Sequence, residues 1–133
     1  NAYQQTGAIL ANRSLLFQLL VFPEKNLPRL KEWDVTADKL RATQDFIGAT
    51  IARLNQHSMQ SKDANIVTQE FTWMAKALHL GAQVGISGLN HTLHADYEEL
   101  IALHQNLWSL RNRPGGLYDS ANRLQRVADL LTR

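Results

Sequence analysis

Apolar residues in this chain recur at intervals of three and four far more often than at two, and that pattern predicts helices with almost no strand. Ala8 to Phe22 carries Ile9, Leu16, Leu19 and Leu20 at helical spacing. Pro23 and Pro28 then impose a connecting segment, PEKNLPRL, because proline lacks an amide donor and disfavours helix in the residue before it. A second helix is expected from Asp34 or Thr36, both good N-caps, with Leu40, Ile47, Ile51 and Leu54 as its core face. After the polar break NQHSMQSKD, a third helix places Val67, Phe71, Met74 and Leu78 on one face, expected to be buried. Gly81, Gly85 and Gly88 line a stripe of bare backbone, so either another helix packs closely there or the helix breaks.

A fourth helix is expected to open at Asp96, with Glu99 completing an acidic capping box. Tyr97, Leu100, Ile101, His104, Leu107, Trp108 and Arg111 then share a broad face. This helix should stop in the turn Arg111-Asn112-Arg113-Pro114-Gly115-Gly116. Pro114 opposes helix at Arg113, and either glycine can take positive φ. Asp119 or Ser120 would cap a last helix whose Leu124, Val127 and Leu131 face inward. Short links favour antiparallel neighbours, so the expected fold is all-α, a bundle of about five to six mostly antiparallel helices.

Composition narrows the function more than it narrows the fold. A length of 133 residues suits one domain; we read Asn1 and Ala2 as a cloning remnant and residues 3–133 as a single helical domain excised from a longer protein. Fourteen basic against twelve acidic side chains leave a net charge of +2, which gives no basis for a nucleic-acid partner. The run LLFQLLVF is too short to span a membrane, and with no signal peptide in view a cytoplasmic location is expected. Without cysteine there is neither a disulfide nor a thiolate metal cage.

No cluster of side chains forms a self-contained catalytic set. His91 and His94 near Asp96 could share a helical face as metal ligands, but lack a third ligand at a defined spacing, so no metal or other cofactor is expected. Glu98 and Glu99 are adjacent and point about 100° apart on a helix, so they cannot converge on one substrate atom. The Pro-Gly-Gly turn lacks the P-loop pattern, and Arg111 and Arg113 suit a helix C-terminus on dipole grounds alone. His57, His79 and His104 read as isolated surface or partly buried residues, and Trp33, Trp73 and Trp108 as core or interface anchors.

One segment carries a resemblance. Leu80-Gly81, an Asp-led helix with spaced leucines, His104, Leu107-Trp108 and the turn Arg111 to Leu117 together resemble the C-terminal helical domain behind the catalytic barrel of some bacterial β-N-acetylhexosaminidases of glycoside hydrolase family 20. The likeness runs from Leu78 to Leu131; earlier residues match only as generic helices. It implies that no catalytic residue lies on this chain and that the partner is the barrel of the same polypeptide, with a homodimer as a further possibility. Arg111, Asn112 and Arg113 would hold the turn against the barrel, with Trp108 as the anchor beneath and Pro114, Gly115 and Gly116 shaping the turn. The alternative is a stand-alone helical interaction or sensor module, binding a protein or small ligand through the glycine-lined face or the loop after Asn55.

Overall fold

The computed structural model describes residues 14–56, 62–110 and 117–132. They form an all-α bundle: α1 (Leu15–Val21), α2 (Pro23–Asn26), a 3-10 turn (Leu27–Arg29), α3 (Ala37–Gln56), α4 (Lys62–Ser87), a 3-10 turn (His91–Leu93), α5 (His94–Leu110) and α6 (Leu117–Leu130). Helix α4 is the axis on which the others assemble. Helices α1, α3 and α5 pack directly on it, and α6 packs on α5.

Glycine decides where α1 lies. A β-carbon at Gly81 would collide with the Leu16 carbonyl oxygen and sit 2.9 Å from its carbonyl carbon, and one at Gly85 would sit 2.7 Å from Leu40 Cδ1 and 3.1 Å from Leu19 Cδ1. Backbone therefore meets backbone at the α1–α4 crossing, a contact that any side chain would wedge apart. Gly88 does the other thing a glycine can do: at φ 72° it follows the last residue of α4. Both readings of the glycine stripe hold, at different positions.

The main core gathers Leu20 and Val21 from α1, Ala77, Leu80 and Val84 from α4, Tyr97, Leu100 and Ile101 from α5, and Leu124, Val127 and Leu131 from α6. The inward face expected for the last helix is thus the one that is buried. On α4 the expectation fails. Its core stripe is Trp73, Ala77, Leu80 and Val84, whereas Phe71 and Met74 remain 59% and 40% exposed. The two stripes have the same spacing and differ by a one-residue rotation, so periodicity alone could not choose between them.

Helix starts were also partly misread. Thr36 does cap α3, its Oγ1 accepting from the Lys39 amide at 3.2 Å, while Asp34 takes a left-handed φ of 53° in the preceding turn. Asp96 is not a cap, because the helical path begins earlier: Asn90 accepts from the Thr92 amide at 3.0 Å and α5 is already under way at His94. Glu99 therefore closes no capping box and pairs with Lys76 of α4 at 2.9 Å. Helix α6 starts at Leu117, so Asp119 and Ser120 lie inside its first turn rather than ahead of it. Ser14 caps α1, and the expected extension back to Ala8 lies outside the described residues.

The C-terminal end of α1 is closed by side chains from elsewhere in the chain. Pro23 has no amide to offer the last carbonyls of the helix. The Tyr97 hydroxyl donates to the Leu20 carbonyl at 2.7 Å, Arg126 donates to the Val21 carbonyl, and buried Asn26 donates to the Phe22 carbonyl at 2.9 Å. Burial together with the nearby Glu24 charge holds the Tyr97 phenol well above its usual pKa, keeping it a donor. Arg126 also pairs with Glu24. Burial acts to raise the Glu24 carboxyl, but the hydrogen bond and charge of Arg126 and a backbone bond outweigh it, leaving it below its usual value.

Candidate functional site

Trp108, the anchor proposed before the turn, stands in an aromatic cluster between α4 and α5. The Trp73 indole donates from Nε1 to the Leu100 carbonyl at 2.9 Å and stacks on His104 with ring centroids 4.8 Å apart. His104 in turn meets Trp108 edge-on at 5.5 Å, one helical turn further along α5. His104 is only 9% exposed, and burial lowers its pKa, so the cluster holds a neutral imidazole. Neither His104 Nε2 nor Trp108 Nε1 has a hydrogen-bond partner among the described residues. Arg111, Asn112, Arg113, Pro114, Gly115 and Gly116 lie outside the described residues, as does His57.

The remaining sequence candidates scatter. Trp33 is a surface residue, 39% exposed, with the Arg29 guanidinium 4.5 Å above its ring. His94 lies 3.6 Å from Glu98 on the next turn of α5, while Glu99 turns to Lys76. Among the described residues no three His, Asp or Glu side chains come together as a metal site. Gly81 and Gly85 are covered by Leu16, Leu19 and Leu40, so that face is not free to bind a partner helix, as the interaction-module reading had it.

Three concavities lie along α4, the smallest, about 170 Å³, beside Trp73 and Leu107. The largest of them, about 510 Å³, is a mixed cleft facing α5, floored by Leu80, Leu93 and Leu100 and rimmed by Lys76, His79, Asp96 and Glu99. Lys76 and Glu99 pair with each other there, so Asp96 is the carboxylate of this rim without an ion pair among the described residues.

The second, about 370 Å³, is an apolar groove between α3 and α4, lined by Ile47, Ile51, Leu54, Phe71, Met74 and Leu78 and edged by Phe46. Phe46 is 73% exposed. Among the described residues the third layer covers only part of α4. At 1.5 Å per residue the seven residues of α1 span only about 10 Å of the roughly 39 Å of α4, and they lie at its Gly81–Gly85 end. Over Phe71 and Met74 no third helix follows among the described residues. The Ile51–Leu54 half of the expected α3 core face serves as the wall of an open groove, while Leu40 and Ile47 at its other end are buried. Sequence reasoning missed this surface, although Phe46 off the α3 stripe and a second stripe on α4 were both signals of it.

No helix among the described residues is long and apolar enough to cross a membrane. No family model, curated protein or solved structure matches the chain.

Proposed function

We propose that the chain is a non-catalytic helical domain, the C-terminal appendage of an exo-acting β-N-acetylhexosaminidase that releases terminal N-acetylhexosamine. The observation that carries this reading is the α5–α6 hairpin. The segment bearing the resemblance folds as two helices joined at the turn, with Tyr97, His104 and Leu107 buried on one and Leu124, Val127 and Leu131 on the other. Trp108 stands at the end of α5, next to the turn that would meet the barrel. In such an enzyme the substrate's own 2-acetamido group attacks the anomeric carbon, aided by an Asp-Glu pair on the barrel. Glu99 and Glu24 are held in ion pairs with Lys76 and Arg126, which suits a supporting role, while Asp96 stands beside Glu99 on the rim of the α4–α5 cleft.

Hydrolysis of a chromogenic N-acetylglucosaminide separates the roles. The parent protein is expected to turn over and this chain to be inert. Turnover by the isolated chain, or none by the parent, would remove the reading. The apolar groove favours a second reading, a helical interaction module for a protein partner. The two differ in what the parent gene encodes ahead of Tyr3: strand-helix alternation for the first, any other architecture for the second.

A further inference from the structure

The geometry points to the α4–α5 cleft as a binding site for a small ligand that joins a primary ammonium group to an apolar body. This goes beyond the hexosaminidase reading and does not depend on it.

The cleft is built by helix register. Lys76 meets Glu99 at 2.9 Å, while Trp73, earlier on α4, meets Leu100 and His104, later on α5, so the two helices run antiparallel. A step of three or four residues forward on α4 and the same step back on α5 keeps the same sides facing. The next rung is therefore His79 opposite Asp96, and the one after it Gln83 opposite Thr92; all four residues line the cleft. Both end rungs are tied. Lys76 holds Glu99, and Gln83 accepts from the side-chain amide of Gln44 on α3 at 3.1 Å. The middle rung is open, because neither the His79 nor the Asp96 side chain has a hydrogen-bond or ion-pair partner among the described residues.

Size, charge and hydrogen-bonding valence together select the ligand. At about 510 Å³ the cleft falls within the roughly 300–1,000 Å³ of small-molecule sites. Its floor of Leu80, Leu93 and Leu100, each no more than 6% exposed, calls for an apolar body. The rim sets one cation, Lys76, against two carboxylates, Asp96 and Glu99, so the excess charge is negative and the apolar floor focuses its field. An anionic ligand would be opposed. Asp96 and the second oxygen of Glu99 can only accept, and the neutral form of the His79 ring offers an acceptor nitrogen, a set that the three donors of a primary ammonium match. No Trp, Tyr or Phe lines the cleft to face a quaternary ammonium, and among the described residues no three His, Asp or Glu side chains gather to hold a metal ion.

Titration of this chain with phenethylamine, followed by NMR of the leucine methyls, tests the site. The amine should shift the Leu93 and Leu100 methyls saturably. Phenethyl alcohol, of the same shape without the charge, should bind about tenfold or more weakly, and hydrocinnamate weaker still. Asp96→Asn, verified as folded by circular dichroism, should bring the amine down to the level of the alcohol and leave the alcohol unchanged, a split that mere damage to the fold would not produce. The comparison of amine, alcohol and carboxylate on the unaltered chain decides the matter even where that variant fails to fold. Absence of saturable shifts up to the solubility limit of the amine overturns the proposal, as does an alcohol or carboxylate that binds as well as the amine. So do an Asp96→Asn chain with unchanged amine binding and shifts centred on Leu54 and Met74, which would seat the amine in the α3–α4 groove instead. None of these outcomes alters the hydrolysis assay, so the two proposals fail separately.

Discussion

The two halves of α4 lie in different environments although each carries an apolar stripe. From Ala77 to Gly85 the helix is enclosed by α1, α3 and α5, its side chains are small, and bare backbone meets the Leu16 carbonyl. From Val67 to Met74 it is flanked, among the described residues, by α3 and α5, its apolar side chains are large, and Phe71 and Met74 face water. Hydrophobicity therefore says that a surface wants covering, whereas side-chain size says whether the chain covers it from within. Small residues mark where another part of the same fold approaches; large ones left outside mark a surface for something else.

This contrast should break most readily at the enclosed half. Gly81→Ala gains about 1 kcal/mol of helix propensity but forces the Leu16 backbone away. A net loss of about 2–3 kcal/mol in urea denaturation is expected. An unchanged midpoint would mean that α1 is not seated as described. Tyr97→Phe leaves the Leu20 carbonyl without its hydroxyl donor in a buried setting, at a cost of about 1–3 kcal/mol, and Arg126→Leu should couple to it, since both close the same helix end.

His104 offers a test by pH. Its folded pKa is lowered by burial from 6.5, so above pH 6.5 it is neutral in both states and adds no slope. Below that value the unfolded chain takes the proton first, and stability should fall on acidification by at most about 1.4 kcal/mol per pH unit until the folded pKa is reached. Glu24 acts in a lower window: its lowered pKa contributes stability above 4.5 that is lost on further acidification. His104→Phe should therefore flatten the profile below pH 6.5, above the window in which Glu24 acts, and a persisting slope there would assign it to another group.

A smaller effect is expected at the start of α5. Asn90→Ala should cost about 1 kcal/mol, and Asp96→Ala less, because only Asn90 holds a cap bond. A larger effect at Asp96 would restore the capping box expected from sequence. Smallest of all, Phe46→Ser on the open half should change monomer stability by no more than about 0.5 kcal/mol. A loss comparable to that of Gly81→Ala would show that the groove is interior after all.

Helix class, the bundle and the inward faces of α5 and α6 were legible in the sequence because each of those faces is one unbroken stripe ending on Leu107 or Leu131. Helix α4 was not, since it carries two stripes and a neighbour was needed to choose between them. The cap at Asn90 was hidden because a 3-10 turn runs directly into α5, moving the start ahead of the Asp96–Glu99 pattern. His104 passed for a partly buried residue because nothing local shows that Trp73, 31 positions away, will lie flat against it. At the proposed turn, only Trp108 falls within the described residues.

The cross-chain closure of α1 also bears on the order in which the molecule assembles. Seven residues are well short of the roughly 12–15 that a helix needs to persist alone in water. The bonds that finish it come from Tyr97 and Arg126, 77 and 105 positions along the chain. Such distant partners can act only once α5 and α6 have found each other, since long loops must close first. Helix α1 is therefore a late arrival, and substitutions at Leu16 or Gly81 should hasten unfolding while leaving the folding rate almost unchanged.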